Sequence, residues 1–397
     1  MKKTLLAIIL LLFVSDSLIP TQNENDLMMS PETEQEIRRF LEKICDWAID
    51  RQVGSGVLQV DDGRSRSIFV NSNLARILIA GYEINGNQHY LEQALGWFDV
   101  LVSRQKYTTA ANGTETAFWL DGTKHENIYL GDAGTAATAL AGAVRYADEN
   151  RRQDYMRALE LYAAFMQHGT EKDPQNKNRG GSDGWIIKHG PDRGALGCGY
   201  YRNQVSTAPY TIATSNSGAA FFSALYALTG NPDHKNIAAN AVMWLMKNRK
   251  TTGEFPYVLH NEERDNWPLD TMSYVTEGLL FAYYHIDDQD LKDYLESSLN
   301  KSVQWLIIRQ NKNGTWGKLR SEDQQRSPVV VNLLNWYYQN VYENPYVLKS
   351  IQRNYRYYLC SKNAERFGVF ELPVATGFVG LAQAEILNTG ITYRIEN

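Results

Sequence analysis

The chain has 397 residues, of which 43% are hydrophobic and 12% aromatic, which is enough to form one large core or two smaller ones. Its formal net charge is −5, and lysine and arginine form no block along the sequence. This charge distribution argues against a nucleic-acid partner, because nucleic-acid-binding domains present a basic patch or stripe.

The first 17 residues have the pattern of a secretory signal peptide. Lys2 and Lys3 give a positive start, and residues 5–14 form an apolar stretch too short to span a bilayer comfortably. Ser15 and Ser17 suit a cleavage site after residue 17. We therefore predict an exported protein, secreted or periplasmic, with no stable membrane insertion after cleavage. The alternative is an uncleaved membrane anchor.

Twelve helical segments of two kinds alternate along the rest of the chain, after a polar leader at residues 18–33. Segments of the first kind are amphipathic and mixed in charge, whereas those of the second are poor in charge and rich in Ala, Gly, Thr and aromatic residues. Small residues allow helices to pack closely on all sides. In chain order, with the first kind leading each pair, the segments are 33–52 and 71–84, 89–105 and 131–149, 154–169 and 215–230, 234–249 and 268–285, 291–310 and 327–340, and 346–362 and 372–387.

This alternation predicts an all-α (α/α)6 toroid, a double ring of six outer and six inner helices in a single domain over residues 34–397. The amphipathic segments form the outer ring and the small-residue segments line the axis. No stretch shows a convincing alternation of period two, so no strand is predicted.

A recurring phrase ends several outer segments. Residues 305–317, WLIIRQNKNGTWG, run from a Trp through aliphatic residues to Gln, a glycine and an aromatic residue, and weaker versions begin at Trp47, Trp97 and Trp244. We interpret the phrase as the crossing from an outer to an inner helix. The helix tryptophans are then core residues, and the loop aromatics are candidates for a site.

The pattern resembles the six-hairpin toroids of glycoside hydrolases, uronate-cleaving lyases and sugar epimerases. The phrase at residues 305–317 is also similar to the repeat of terpene-cyclase and prenyltransferase toroids. The resemblance covers nearly the whole mature chain, and it implies a fold without carrying over any catalytic residue, because fold alone does not assign function.

In such a ring the six outer-to-inner loops emerge at one end, which we call the mouth. These loops contain three of the seven histidines and several tryptophans of the chain. Flat aromatic faces stack on sugars, and carboxylates, Arg and His bind hydroxyls or uronates. The sequence therefore predicts an enzyme with a carbohydrate substrate. We predict neither a cofactor nor a metal, since Cys and His are not clustered.

Hydrolysis of a glycosidic bond requires two carboxylates across a cleft. Asp132 and Asp270 stand near the starts of the second and fourth inner segments, and Asp183 lies in the long loop between them, together with His189. We predict these four residues as catalytic. For Asp132 the competing interpretation is a helix cap worth about 1 kcal/mol.

The predicted substrate contacts are aromatic and polar residues of the same loops. They are Trp119, His125, Trp185, Tyr201, His260, Trp267 and Arg320.

Three alternatives to a hydrolase stay open. A uronate lyase or epimerase would use a His or Tyr base and a cation. A glycan-binding protein needs the same aromatics without an acid–base pair, and a terpenoid-type cyclase would use an apolar axial cavity.

Two further predictions concern buried groups. Glu277 lies inside a helix expected to be buried, so it either forms an ion pair or faces the axial cavity. Of the three cysteines, Cys45 and Cys360 are expected in the core and Cys198 in a loop. At most one disulfide can form, so the fold is not expected to depend on disulfides.

Overall fold

The computed structural model describes residues 29–51, 67–121, 127–170, 184–201, 204–257 and 268–395. The predicted signal peptide and most of the predicted leader lie outside these ranges. Within them, no helix combines the length and the apolar composition that a bilayer crossing requires.

The described ranges are mainly helical. The helices are α1 (Pro31–Asp50), α2 (Ile68–Asn85), α3 (Gln88–Ser103), α4 (Leu130–Ala143), α5 (Glu149–His168), α6 (Thr211–Ala213), α7 (Phe221–Thr229), α8 (Pro232–Lys247), α9 (Pro268–His285), α10 (Gln289–Arg309), α11 (Glu322–Arg326), α12 (Val331–Asn340), α13 (Pro345–Leu359), α14 (Ser361–Phe367) and α15 (Pro373–Leu387). A π-helical segment, Thr214–Ala220, joins α6 to α7, and short 3₁₀ turns span Val144–Tyr146, Pro328–Val330 and Ile391–Tyr393.

The inner helices form a closed ring. In order they are α2, α4, α6–α7 with its π segment, α9, α12 with the 3₁₀ turn before it, and α15. Each contacts the next, and α15 returns to α2. The outer helices α1, α3, α5, α8, α10 and α13 cover this ring. Every predicted helical segment is present, and the predicted (α/α)6 toroid is confirmed.

Each outer helix begins with a side-chain cap. An oxygen of the capping residue accepts a hydrogen bond from a backbone N–H of the first turn, which satisfies a donor that the helix itself leaves free. The caps are Ser30, Asn87, Asp148, Asn231, Asp288 and Asn344. These short polar residues explain why the amphipathic segments start where they do.

The inner helices pack closely through glycine. A methyl group on Gly134 of α4 would lie 2.5 Å from the backbone nitrogen of Ser217, and one on Gly278 of α9 would lie 2.7 Å from the carbonyl oxygen of Ser215. Both distances are too short for a carbon contact, so α4 and α9 can approach the π segment only without a side chain there. This explains the small residues of the inner segments.

The recurring phrase joins neighbouring outer helices. The Gln310 side chain donates to the Ser350 carbonyl of α13, and Gln105 donates in the same way to Ala158 of α5. Gly314, with a φ of 94°, turns the chain directly against the backbone of α13 at Arg353. The phrase is therefore a clamp between consecutive outer helices as well as a crossing to the inner ring.

The helix tryptophans of the phrase belong mostly to the core, as predicted. Trp97, Trp244 and Trp305 are buried. Trp47 is half-buried and donates to the Phe370 carbonyl.

Two small sheets were not predicted. Strands β1 (Lys106–Thr109) and β2 (Glu115–Phe118) form an antiparallel hairpin with Lys106 opposite Phe118. Strands β3 (Ile128–Tyr129), β4 (Gly197–Tyr201) and β5 (Gln204–Pro209) form a second antiparallel sheet in that order. These strands have two to six residues within outer-to-inner loops, too few to show a period of two.

The cysteine predictions are half right. Cys45 is fully buried, as expected. Cys360 is exposed, contrary to expectation, because it stands at the end of α13 where the helical pattern stops. Cys198 is half-buried in β4 rather than in an irregular loop, and none of the three cysteines forms a disulfide.

The interior of the ring contains a buried ion pair. Glu277 of α9 bonds to Arg76 of α2, and their side chains are only 8% and 6% exposed. Arg76 also donates to the Thr392 carbonyl of the C-terminal segment. The first of the two options predicted for Glu277, an ion pair, is therefore the observed one.

The substitution Glu277→Gln should destabilise the fold by about 3 to 5 kcal/mol, because it leaves the Arg76 charge buried without its partner. Urea unfolding measures the change. Glu34→Gln is the matched control, since Glu34 pairs with Arg38 at the surface, where the side chains are 42% and 39% exposed. That change should cost less than about 1 kcal/mol. Equal losses in the two variants would contradict the assignment.

Candidate active site

Two aspartates occupy matching positions at the mouth. Asp132 and Asp270 are each the third residue of an inner helix, α4 and α9 respectively. The N-cap position of α4 belongs to Tyr129, so Asp132 is not the capping residue itself. A carboxylate in the first turn is stabilised by the positive end of the helix dipole. Both carboxyl groups therefore lie where the axis opens to the loops.

Asp270 is almost fully buried and faces a cation. It is 1% exposed, and its carboxylate oxygens lie 3.4 and 3.5 Å from Nη1 of Arg326, which ends α11. The α11 residue Asp323 accepts a 3.2 Å hydrogen bond from the backbone nitrogen of Asp270. The short helix α11 thus supplies both a counter-charge and a backbone acceptor at the start of α9.

Burial raises the pKa of Asp270 from 3.8 to about 6. Arg326 opposes this rise, whereas the nearby carboxylates Asp323 and Glu322 add to it. Although burial disfavours its charge, Arg326 has a pKa above its ordinary value because of Tyr274 and the surrounding carboxylates. Asp270 is thus a carboxyl group that exchanges its proton near neutral pH, beside a permanent cation.

Asp132 belongs to the same electrostatic group. Its side chain is half-buried, and its charge raises the pKa of Tyr274 and of Arg326, although burial is the larger influence on both. Tyr274 stands one turn after Asp270 on α9. The carboxyl groups of units two and four are therefore close enough to act on the same tyrosine and the same arginine.

Three tyrosines from consecutive units line the mouth beside these carboxyl groups, and we call them the tyrosine arc. Tyr129 precedes α4, Tyr210 precedes α6, and Tyr257 lies in the loop after α8. The hydroxyls of Tyr129 and Tyr210 share a hydrogen bond, and Tyr210 donates to the Tyr257 hydroxyl at 2.9 Å. Adjacent rings meet edge to face, with centroids 5.8 and 5.4 Å apart.

An aromatic cluster adjoins Asp270 on the other side. Phe69 of α2, Tyr274 of α9 and Phe378 of α15 contact one another with ring centroids 5.8 to 5.9 Å apart. The described part of the mouth therefore combines carboxyl groups, a half-buried guanidinium, hydroxyls and aromatic rings. That is the composition of a carbohydrate-processing site.

Two predicted substrate contacts are core residues in this structure. Trp119 and Trp185 are both 0% exposed. Trp119 donates from its indole nitrogen to the Leu101 carbonyl and packs on Tyr162, and Trp185 packs on Phe165. The structure does not support a role for these tryptophans in substrate contact, because they fill gaps between helices.

Two further predicted residues lie at the surface. His189 is exposed in a turn, and the turn residue Pro191 accepts a hydrogen bond from Lys247 of the outer helix α8. Arg320 is exposed and donates to the Arg366 carbonyl at the end of α14. Neither residue is brought into the group that contains Asp132 and Asp270.

The structure does not describe the side chains of the remaining predicted residues. Tyr201 ends β4, but its side chain is not described. The other four lie outside the described residues and stay predictions: His125, Asp183, His260 and Trp267.

Sequence reasoning missed Arg326 and the tyrosine arc. Arg326 belongs to the segment EDQQR, which reads as a solvated charged stretch, yet it stands two residues before Pro328 at the start of the fifth inner element. Tyr129 and Tyr210 also immediately precede inner helices. Their common position at helix starts was the available signal.

Comparison with known proteins shows the fold without a family. No family model matches the chain, and no curated protein matches it in sequence. Solved structures do match. An inactive α-1,6-mannanase of glycoside hydrolase family 76 from Salegentibacter sp., in complex with α-1,6-mannotetraose, has a TM-score of 0.57 at 13% identity, over 88% of this chain and 99% of that one.

Two other matches have descriptions that differ from that of the mannanase. A Salmonella enterica protein described as a possible member of the GH105 family has a TM-score of 0.61 at 14% identity, over 94% of this chain and 99% of that one. The cellobiose 2-epimerase of Spirochaeta thermophila has a TM-score of 0.55 at 12% identity, over 89% and 98% of the two chains. All three are (α/α)6 toroids, so the chain has the fold of glycan-processing enzymes.

The burial of Asp270 should make stability depend on pH. Because its pKa in the folded protein, about 6, exceeds the ordinary 3.8, the stabilising contribution is fully present below about pH 4 and is lost as the pH rises through 6. Relative to Asp270→Asn, the wild type should lose about 3 kcal/mol of unfolding free energy over that interval. Urea unfolding across the interval measures it.

The exposed Asp154 of α5 provides the control. Asp154→Asn should follow the wild type at every pH. A wild type that gains stability relative to Asp270→Asn as the pH rises would contradict the assignment for Asp270.

Proposed function

We propose that the protein is a glycoside hydrolase whose acid and base are Asp270 and Asp132. The observation that carries this proposal is their matching placement at the starts of α4 and α9, where both act on Tyr274 and Arg326. Two carboxyl groups flanking a sugar-binding cleft are what glycoside hydrolysis requires. The toroid shared with the mannanase adds support at the level of fold.

The two carboxyl groups have different environments, which suits different roles. Asp270 is buried and has a pKa of about 6, so about half of these carboxyl groups carry a proton at pH 6 and about a tenth at pH 7. It is the candidate general acid that protonates the leaving oxygen. Asp132 is half-buried. It is the candidate base or nucleophile, because it is the more accessible of the two to water and to the sugar.

Arg326 lowers the pKa of the candidate acid, Asp270. It lies 3.4 Å from Asp270 and keeps the pKa of that carboxyl group from rising further. Its Nη2 lies 3.9 Å from the exposed Glu322, so the guanidinium is held from two sides. We assign Arg326 to setting the proton affinity of Asp270 rather than to chemistry on the sugar.

A uronate lyase or epimerase is the second candidate, because the tyrosine arc offers hydroxyl groups of the kind that act as proton donors or bases. These reactions also need a cation for the substrate carboxylate. Arg326 already faces Asp270 and Glu322, so a uronate would compete with two protein carboxylates for it. That competition favours the hydrolase.

We also propose that the protein acts outside the cytoplasm, on the basis of the signal-like residues 1–17. An exported enzyme would meet glycans of the surroundings or of the cell envelope. N-terminal sequencing of protein recovered from the export compartment tests this, and a mature start near residue 18 is expected.

The enzymatic proposal predicts reducing ends without an unsaturated product. The mature protein would be incubated with neutral and uronate-containing glycans, including α-1,6-mannotriose and α-1,6-mannotetraose. Reducing ends and the ultraviolet absorbance of unsaturated uronates would be followed together. Reducing ends alone support hydrolysis, and both signals rising together support the lyase. If neither signal appears, both candidates are contradicted, and a binding protein or a cyclase is favoured.

On any cleaved glycan, Asp132→Asn and Asp270→Asn should each lower kcat/KM by about 100-fold or more, because general acid–base catalysis contributes about that much. His189→Asn is the control in the neighbouring loop and should retain activity. Full activity in either aspartate variant, with the fold intact, would remove that residue from the mechanism. Loss of activity in His189→Asn would return His189 to the site.

Arg326→Gln should move the alkaline limb of kcat/KM to higher pH. The limb reports loss of the Asp270 proton and is expected near pH 6 in the wild type. Removing the cation should raise it by about one unit. Arg320→Gln, which changes an exposed arginine in the loop before α11, is the matched control and should leave the limb in place. A downward shift in Arg326→Gln would contradict Asp270 as the acid.

A further inference from the structure

The hydrogen bonds of the tyrosine arc all run in one direction from donor to acceptor. Each neutral phenol has a single proton to donate. Tyr210 donates its proton to Tyr257, so in the hydrogen bond that it shares with Tyr129 it can only accept. Tyr129 is therefore the donor in that bond. The chain of hydroxyls runs from Tyr129 through Tyr210 to Tyr257.

The environment keeps this direction fixed. Burial raises the pKa of Tyr129 and of Tyr210 well above 10, so both stay neutral and keep their protons at physiological pH. Tyr210 and Tyr257 are 2% and 7% exposed, and the edge-to-face contacts between the rings limit their rotation. Rearranging the chain would require these buried hydroxyls to exchange partners.

Tyr129 is the least buried member of the arc. Its side chain is half-buried, whereas the other two are buried. It stands three residues before Asp132, and the charge of Asp132 adds slightly to the burial that raises the pKa of Tyr129. Among the three tyrosines, Tyr129 is therefore the one placed to contact a ligand bound at Asp132. Because the Tyr129 proton is committed to Tyr210, the oxygen of Tyr129 is left as an acceptor.

We propose that Tyr129 binds a sugar hydroxyl that donates a hydrogen bond to it, and that Tyr210 and Tyr257 are positioning residues that make Tyr129 an acceptor. The ligand class is a neutral sugar with a free hydroxyl beside the bond cleaved at Asp132. This inference rests on the proposed function. A carboxylate, an ether or an ester at that position is rejected, because each only accepts and would leave two acceptors facing each other.

The test compares hydroxyl, deoxy and deoxyfluoro forms of the best-cleaved glycan from the panel, one position at a time. Fluorine accepts weakly and cannot donate. In the wild type, one position should exist at which fluorine lowers kcat/KM about tenfold or more, as much as removal of the hydroxyl does. Comparable rates for the hydroxyl and fluoro forms at every position would overturn the proposal.

Variants of the arc give the sharper readout. In Tyr129→Phe, the hydroxyl, deoxy and deoxyfluoro forms at that position should have the same kcat/KM. In Tyr210→Phe, Tyr129 no longer donates to residue 210 and can donate to the fluorine. The kcat/KM of the fluoro form should therefore rise relative to that of the deoxy form. Tyr257→Phe should act in the same direction, because it leaves Tyr210 able to donate to Tyr129. A merely structural role would lower all three rates together and leave their ratios unchanged, which would overturn the proposal.

Tyr155→Phe is the matched control. The Tyr155 hydroxyl donates to Asp99 and lies in the outer ring, so this variant loses a tyrosine hydrogen bond away from the mouth. It should keep the wild-type ratios. Thermal unfolding identifies any variant that does not fold, and the Tyr257 variant then replaces the Tyr210 variant.

Failure of the hydrolase proposal has a different signature. If the wild type cleaves nothing, the same analogues of α-1,6-mannotriose would be titrated calorimetrically into the wild type and into Tyr129→Phe. Binding with the expected ratios in the wild type and their loss in Tyr129→Phe would refute hydrolysis and support the subsite. Binding without those ratios would overturn the subsite alone, and no binding would overturn both.

Discussion

The geometry of the mouth depends on the π-helical segment of the third inner helix. Ser217 donates to the carbonyl of Leu130 at the start of α4, and Ser215 donates to the carbonyl of Tyr274 in α9. One segment thereby holds the two helices that present the candidate aspartates. A π segment widens the helix and redirects its side chains, which is why such segments are frequent at functional sites. Here it allows successive residues to bond to helices on opposite sides.

The rest of the toroid keeps that segment in place. Because the inner ring is closed, each inner helix packs against an inner helix on both sides. The side-chain hydrogen bonds of Gln105 and Gln310 join neighbouring outer helices. Deeper along the axis, Arg76 and Glu277 connect α2 to α9. A scaffold of this kind tolerates extensive change in its loops. Solved toroids with 11 to 14% identity match nearly the whole chain, although their descriptions include hydrolases and an epimerase.

The sequence was sufficient for the helices and for part of the site. Apolar periodicity and the contrast between charged and small-residue segments predicted the ring, and the positions of Asp132 and Asp270 at helix starts placed them at the mouth. A loop tryptophan such as Trp119 looks exposed in the sequence, whereas its burial and its hydrogen bond to Leu101 depend on tertiary packing. Arg326 escaped notice for a related reason, since only the fold brings α11 against α9.

The most direct test of the account is a crystal structure of the Asp132→Asn variant with a glycan that the wild type cleaves. The scissile bond is expected between residues 132 and 270, with its leaving oxygen within about 3 Å of the Asp270 carboxyl group. A sugar hydroxyl is expected on Tyr129. A glycan bound elsewhere, for example along the turn that contains His189, would contradict the central claim that the starts of α4 and α9 form the catalytic centre.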